Sequence, residues 1–155
     1  MRIYISTRIF IYLFMLFPSI IPAPPGEYHS DNLLEAICTY ESRDFKDPND
    51  AVAKADEIGR CQPRRSTVKE LLNWQGSNAD LDNLVLRDYW RNTMVAKMYL
   101  DKCRDKHGWH WKQRKKVAYC YNAGLYAKPF RDRGAWKYAT EVISVYDSHR
   151  MKGYK

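Results

Sequence analysis

Glu41 is the residue whose surroundings in this sequence are best suited to chemistry. It follows Leu34, Ile37 and Cys38 along one stripe of a predicted helix, and those three positions are apolar. A carboxyl group held against apolar neighbours loses the hydration of its charged form, so its pKa is expected to rise. A general acid working near neutral pH needs a raised pKa. The alternative is an exposed glutamate at the fraying end of the helix, with no chemical role.

Glu41 belongs to the first of several separated segments that together form a pattern. In chain order they are Ala36-Ile37-x-x-x-Glu41-Ser42, Gly59-Arg60-Cys61-Gln62 followed by Pro63, Asn92-x-x-x-Ala96-x-x-Tyr99-Leu100, Tyr121-Asn122-Ala123-Gly124 and Tyr138-x-x-x-Val142. Their order and spacing resemble the soluble lytic transglycosylases, the goose-lysozyme-like family of peptidoglycan-cleaving enzymes. The chain departs from that family where Arg60 and Cys61 replace Leu and Met, where Cys120 replaces a small residue, and where residues 50–58 lack the usual Ser.

The resemblance implies a mainly α, lysozyme-like single domain and a specific reaction. The family cuts the β-1,4 bond between N-acetylmuramic acid and N-acetylglucosamine without water, and the product is a 1,6-anhydro sugar. By resemblance Glu41 is the general acid and base, and Ser42 contacts the sugar near the cleavage point. Gln62 and Asn122 are expected to hydrogen-bond acetamido or peptide groups, and Tyr121 to orient Glu41 or the developing cation. Alternatively, Asn122 caps its helix and Tyr121 is an ordinary core residue.

The four cysteines, Cys38, Cys61, Cys103 and Cys120, allow three disulfide pairings in an exported chain. Their spacing fits no zinc-binding pattern, so we expect no zinc site. The reaction that the resemblance implies needs no metal or organic cofactor. If the helices pack as they do in the family, a Cys38–Cys120 disulfide would fasten the floor of the cleft.

Three other functions remain open. A goose-type lysozyme would hydrolyse the same bond, with Asp50, Asp56 or Glu57 activating water. A catalytically silent domain would only bind the cell wall, although the retained glutamate argues against this. A nucleic-acid binder would use the basic stretch 112–116 with stacking surfaces from Trp109, Trp111 and Tyr119. We expect no nucleic-acid partner, because an exported protein seldom meets nucleic acid.

Helices must position these residues. The hydrophobic periodicity predicts helices over about Asn32–Arg43, Ser66–Trp74, Asp82–Lys106, Lys112–Ala123 and Gly134–His149. The long third helix is expected to bury a stripe of Val85, Tyr89, Ala96, Leu100 and Cys103, which Asn92 interrupts. Gly108 and Gly124 should end their helices. Residues 44–65 are predicted to form loops and turns, and no stretch alternates long enough for a strand.

The N-terminal stretch predicts export. Arg2 and Arg8 precede the apolar run Ile9–Ile21, which is short for a membrane-spanning helix and has the layout of a secretory signal. We therefore expect residues 1–25 to be a signal peptide or an anchor, and 26–155 to be a domain in the periplasmic or cell-wall space. The formal net charge of +8 favours anionic partners. The expected partners are peptidoglycan strands and a wall-spanning secretion or pilus assembly, with membrane contact only through the N-terminal segment.

Overall fold

The computed structural model describes residues 32–49, 52–54, 56–128 and 131–152. These residues are mainly helical, which confirms the expected mainly α class. In chain order the elements are α1 (Asn32–Ser42), β1 (Val52–Lys54), β2 (Glu57–Ile58), α2 (Arg65–Leu72), α3 (Asn78–Leu81), a π-helical segment (Asp82–Leu86), α4 (Tyr89–His107), a 3₁₀ turn (Trp111–Gln113), α5 (Arg114–Ala123) and α6 (Arg133–Lys152). Gly108 and Gly124 end α4 and α5 with φ of 98° and 99°, as predicted.

The main core lies where α6 packs against α1 and α5, and α5 packs in turn against α4. On α6 the buried residues recur at intervals of three and four, so they share one helix face: Ala135, Tyr138, Ala139 and Val142. On α1 the predicted stripe of Leu34, Ile37 and Cys38 is buried against them. This arrangement brings the C-terminal ends of α1 and α5 to the same side of the molecule, where Glu41 and Asn122 line one cleft.

The helix predicted over Asp82–Lys106 is wrong in its first part. Asp88 is extended (φ −77°, ψ 122°), and its side chain caps α4 by accepting a hydrogen bond from the Arg91 N–H at 2.8 Å. Because of this break, Val85 does not continue the stripe of α4. It packs instead in a second, smaller core with Ile58, Val68, Leu81, Leu86 and Val95. Tyr89, predicted to be buried, is 39% exposed.

Residues 44–65 contain a short hairpin that the sequence pattern did not predict. β1 pairs antiparallel with β2, with Val52 opposite Ile58 and Lys54 opposite Glu57. Strands of two and three residues are too short to show an alternating pattern, so the sequence carried no signal for them. The hairpin is followed directly by the turn at Gly59.

The structure contains disulfides Cys38–Cys61 and Cys103–Cys120, so the predicted Cys38–Cys120 bond is wrong. The reason lies in what each helix faces. Cys38 on α1 meets the loop after β2, while Cys120 on α5 meets the neighbouring helix α4. All four cysteines are buried. One disulfide therefore joins α1 to a loop, and the other joins two packed helices.

Within the described ranges, none of the helices is both long enough and apolar enough to cross a bilayer. The predicted targeting segment, residues 1–25, lies outside the described residues. Its role, and the assignment of 26–155 as one exported domain, stay predictions.

Candidate active site

A cleft opens between the C-terminal end of α1, the loop after β2 and the C-terminal end of α5. It brings together Glu41, Gln62, Tyr121 and Asn122, which are four of the five residues that the sequence singled out for catalysis or substrate binding. The complete lining is Glu41, Glu57, Gln62, Pro63, Arg64, Thr67, Tyr99, Tyr121, Asn122 and Gly124.

Glu41 is partly buried and lies beside two buried tyrosines. The pKa of Tyr138 is raised well above its usual value, first by burial and then by the negative charge of Glu41. Its hydroxyl lies close to Glu41 but makes no hydrogen bond of normal geometry within the described ranges. Burial and the Glu41 charge likewise raise the pKa of Tyr121. The carboxyl group thus borders aromatic side chains on one side and the open cleft on the other.

Contacts between α1 and α6 hold the helix end that carries Glu41. The Tyr40 hydroxyl donates a hydrogen bond to Glu141 on α6. The ring of Tyr40 meets Tyr138 edge to face at 5.0 Å, and the Arg43 guanidinium lies 3.8 Å from the centre of the Tyr40 ring. Because the residues on both sides of Glu41 are anchored, the carboxyl group has a defined place in the cleft.

The loop that carries Gln62 has a tightly constrained backbone. Gln62 is buried with a φ of 47°, a left-handed conformation that costs a non-glycine residue about 1–2 kcal/mol. Its Nε2 donates to the Gly59 carbonyl at 2.7 Å, which offsets part of that cost. Gly59 itself has a φ of 83°, and a Cβ there would lie 2.0 Å from the Leu86 carbonyl oxygen. Only glycine fits this turn.

Asn92 on α4 holds the same loop through hydrogen bonds of its side chain. Its Oδ1 accepts the Cys61 N–H at 2.9 Å, and its Nδ2 donates to the carbonyl groups of Ile58 at 3.0 Å and Leu86 at 2.8 Å. The side chain is buried (1% exposed) and uses both ends of its amide. From the sequence alone Asn92 is a polar interruption of an apolar stripe, and no such role is predicted for it.

Tyr121 connects α5 to the loop. Its hydroxyl donates to the Cys61 carbonyl at 3.0 Å, and its ring lies 5.5 Å from that of Tyr99. The hydroxyl proton is therefore directed at the loop, whereas the sequence predicted that Tyr121 would orient Glu41 or a cation. The ring still forms part of the cleft wall beside Glu41.

Asn122 presents an amide to the cleft. The alternative that it caps α5 is not what the structure shows, because the Gly124 N–H caps the helix by donating to the Cys120 carbonyl at 2.8 Å. In the part of the chain that the structure describes, the Asn122 side chain makes no hydrogen bond. Its amide is available to a ligand.

Ser42 is the one predicted site residue that the structure does not bring to the cleft. It is buried, and its Oγ donates to the Cys38 carbonyl one helical turn earlier at 2.8 Å. Serine side chains in helices commonly bond backward in this way. The predicted contact between Ser42 and the sugar does not fit this orientation.

Glu57 places a second carboxylate in the cleft wall, where it forms an ion pair with Arg64 at 3.3 Å. Its side chain is only 16% exposed. Asp56, the next candidate water activator, is not part of the cleft lining; its carboxylate contacts Arg65 at 3.4 Å and the Ser66 hydroxyl at 3.0 Å. The third candidate, Asp50, lies outside the described residues.

Several residues at the site have no function predicted from the sequence. Tyr99 and Tyr138 stand inside the quoted motifs, so the signal for them existed, but no function was attached to it. Arg64 and Thr67 adjoin the Gln62 loop without any distinguishing pattern.

No cluster of three or more histidine, cysteine or acidic side chains that could hold a metal ion occurs among the described residues. A comparison of the chain with models of known protein families, with curated proteins and with solved structures finds no match. The case for a function therefore rests on the cleft itself and on the motifs that line it.

Proposed function

We propose that this protein is a lytic transglycosylase of lysozyme-like fold, and that it cleaves the bond between N-acetylmuramic acid and N-acetylglucosamine in peptidoglycan. One observation supports the proposal above all. Glu41, Gln62, Tyr121 and Asn122 come from three separate segments that resemble the family motifs, and all four line one cleft.

The proposed reaction needs only one acid. Glu41 donates its proton to the glycosidic oxygen as the bond to C1 of the muramoyl sugar breaks, and the leaving sugar carries that proton away. The substrate's acetamido group stabilises the positive charge at C1, which is a known exception to the two-carboxylate pattern. Glu41, now ionised, accepts the proton of the muramoyl 6-hydroxyl as that oxygen closes on C1. Since the 6-hydroxyl belongs to the same sugar, its effective concentration exceeds that of water at the same place.

The other lining residues suit a sugar with amide substituents. The available amide of Asn122 can donate to and accept from an acetamido group. Gln62 is held by its bond to Gly59, so its side chain has a fixed place in the cleft wall. The buried tyrosines Tyr99 and Tyr121 border the cleft and give it an apolar wall against which a pyranose ring can pack.

Hydrolysis by a goose-type lysozyme is the second candidate, and the position of Glu57 favours it. A second carboxylate in the cleft could activate water in an inverting reaction. However, Glu57 is engaged by Arg64, which holds it as a charged wall residue. We therefore give it a structural part in the transglycosylase.

The setting of the reaction follows from the sequence. Export by residues 1–25 would bring the domain to peptidoglycan in the periplasmic or cell-wall space. There it would open the wall for its own cell or for a secretion or pilus assembly. The chemistry proposed requires no cofactor.

Mass spectrometry of the muropeptides released from purified peptidoglycan tests the proposal. The wild-type chain should release products lighter by one water than reducing muropeptides, and the Glu41→Gln variant should release none. Reducing-end products would identify a lysozyme. An absence of release with wild-type protein, together with retained binding to the wall, would identify a silent wall-binding domain.

A further inference from the structure

A second surface with a distinct composition lies at the other end of the helices. We call it the tryptophan–lysine surface; it comprises Trp109, Trp111, Lys112, Lys115 and Lys116. Trp109 is 62% exposed and Trp111 is 59% exposed, although large apolar side chains are usually buried. Between the two rings runs a groove that reaches the start of α1 at Asn32.

Cations lie against both tryptophan rings, and the two arginines among them are also paired with acids, Arg104 with Asp101 and Arg114 with Asp147. The Arg104 guanidinium lies 5.2 Å from the centre of the Trp109 ring, and that of Arg114 lies 5.2 Å from the centre of the Trp111 ring. The Lys112 ammonium group lies 5.7 Å from the Trp111 ring. Cation–π contacts of this kind keep positive charge next to exposed aromatic surface.

The lysines of this surface have no acidic partners. Within the described ranges, Lys112, Lys115 and Lys116 form no ion pair with an acid. Lys115 and Lys116 also occupy the first turn of α5, where the helix dipole disfavours positive charge. Lys115 also contacts the fold, since its ammonium group lies 4.3 Å from the centre of the Trp136 ring. The positive charge of the three lysines remains available to an anionic partner.

The tryptophan–lysine surface is remote from the cleft. Asn32 borders the groove and Glu41 borders the cleft, and these residues lie at opposite ends of α1, roughly 13 Å apart along the helix axis. Arg114 and Asn122 are separated in the same way along α5, by roughly 12 Å. A partner on one side therefore leaves the other side accessible.

We propose that the tryptophan–lysine surface docks onto an anionic lipid bilayer. Exposed tryptophans flanked by lysine and arginine are typical of protein surfaces that rest at the level of lipid headgroups. The indole N–H of Trp109 already donates to Asp105 at 2.9 Å, so immersing the ring leaves no donor unsatisfied. Lysines without acidic partners supply the attraction to negatively charged headgroups.

The course of the chain favours a bilayer over a polysaccharide or a nucleic acid. The apolar run Ile9–Ile21 is separated by ten residues from Asn32, which borders the groove. Ten residues span at most about 36 Å, so a membrane that holds the apolar run lies within reach of this surface. Docking there would turn the cleft with Glu41 away from the bilayer, toward the wall. This inference does not depend on the reaction proposed for the cleft.

Quenching of tryptophan fluorescence by brominated lipids tests the proposal. The full chain is incorporated into vesicles of phosphatidylcholine and phosphatidylglycerol, with the bromine near the headgroup end of the acyl chains. Replacing Trp109 and Trp111 together by Phe should remove most of the quenched fluorescence. The matched control is Trp90→Phe. Trp90 is similarly exposed (61%), but it lies at the start of α4, roughly 26 Å along the helix axis from His107 at the end that adjoins the tryptophan–lysine surface. This control should leave the quenched fraction nearly unchanged.

A charge variant separates lipid from other anionic partners. Replacing Lys112, Lys115 and Lys116 by Gln should reduce quenching in anionic vesicles to the level found in pure phosphatidylcholine. Equal quenching in the wild type and the Trp109 and Trp111 variant would overturn the proposal. The proposal would also be overturned if the lysine variant kept its quenching in anionic vesicles but lost binding to single-stranded DNA or to purified peptidoglycan.

Discussion

The side-chain oxygen of Asn92 accepts a hydrogen bond from the backbone N–H of Cys61 at 2.9 Å. This bond ties the loop of the cleft to α4, and the Cys38–Cys61 disulfide ties the same loop to α1. Two attachments thus converge on Cys61, the residue before Gln62. The position of Gln62 relative to Glu41 therefore depends on side chains outside the cleft.

Asn92→Ala should destabilise the protein strongly. It would leave three buried groups without their partner: the Cys61 N–H and the carbonyl groups of Ile58 and Leu86. Each unsatisfied group costs about 1–3 kcal/mol, so the free energy of unfolding should fall by about 3 kcal/mol or more. Urea denaturation measures this. Thr93→Ala, on a neighbouring and more exposed position, should change it by less than about 0.5 kcal/mol. Equal effects of the two substitutions would contradict the role given to Asn92.

Gly59→Ala should be far more damaging than Gly108→Ala. Both glycines have positive φ, which costs alanine about 1–2 kcal/mol. At Gly108 the nearest atom to a new Cβ is 3.6 Å away, whereas at Gly59 the Leu86 carbonyl oxygen is 2.0 Å away. Thermal unfolding of both variants should show a larger loss for Gly59→Ala, by at least about 2 kcal/mol. Similar losses of unfolding free energy in the two variants would mean that a Cβ at position 59 does not clash with the Leu86 carbonyl oxygen.

The two disulfides should be equivalent for stability and different for activity. They close chain segments with separations of 23 and 17 residues, so replacing either pair by Ala should cost about 3 kcal/mol. Only the Cys38–Cys61 bond joins the helix of Glu41 to the loop of Gln62. Its loss should also lower the rate of muropeptide release under conditions where both variants remain folded. Peptide mapping without reductant checks the pairing, and a Cys38–Cys120 peptide would contradict it.

Tyr138 should make the protein lose stability at alkaline pH. Burial raises the pKa of Tyr138 well above its usual value in the folded chain, while in the unfolded chain it stays near about 10. The stabilisation is complete below about pH 10, because above that pH the unfolded chain releases the proton first. Stability should then fall as pH rises toward the folded-state pKa.

Urea denaturation between about pH 9 and pH 11 measures this loss. Tyr138→Phe should reduce the slope of unfolding free energy against pH. Tyr126→Phe, at a position that is 94% exposed, should keep the wild-type slope. If the Tyr138→Phe variant kept the wild-type slope, the pKa of Tyr138 would not be raised in the folded chain, which would contradict the prediction.

The sequence predicted the longer helices and four of the ten residues that line the cleft, because both depend on local signals. The apolar stripe of α1, the glycine that ends α5 and the Tyr121-Asn122 segment are each visible within one element. Ser42 is the exception: the resemblance predicted a contact with the sugar, whereas its hydroxyl bonds to the carbonyl of Cys38 four residues earlier.

Contacts between distant segments could not be predicted in the same way. Four cysteines allow three pairings, and only the packing of α1 against the loop selects Cys38–Cys61. In the sequence Asn92 only interrupts an apolar helical stripe. Its hydrogen bond to the loop at Cys61 becomes visible only in the folded structure. Asp88 is of a type that favours the start of a helix, but the apolar stripe that runs past it predicted one continuous helix, and so the break that moves Val85 into the second core was missed.

Digestion of purified peptidoglycan in water labelled with heavy oxygen, with wild-type protein and the matched variants Glu41→Gln and Glu57→Gln, tests the central claim most directly. The account predicts unlabelled anhydro products from the wild type and from Glu57→Gln. It also predicts a loss of at least about 100-fold in rate for Glu41→Gln, as expected for removal of a general acid. Labelled reducing ends that depend on Glu57, or full activity in Glu41→Gln, would contradict it.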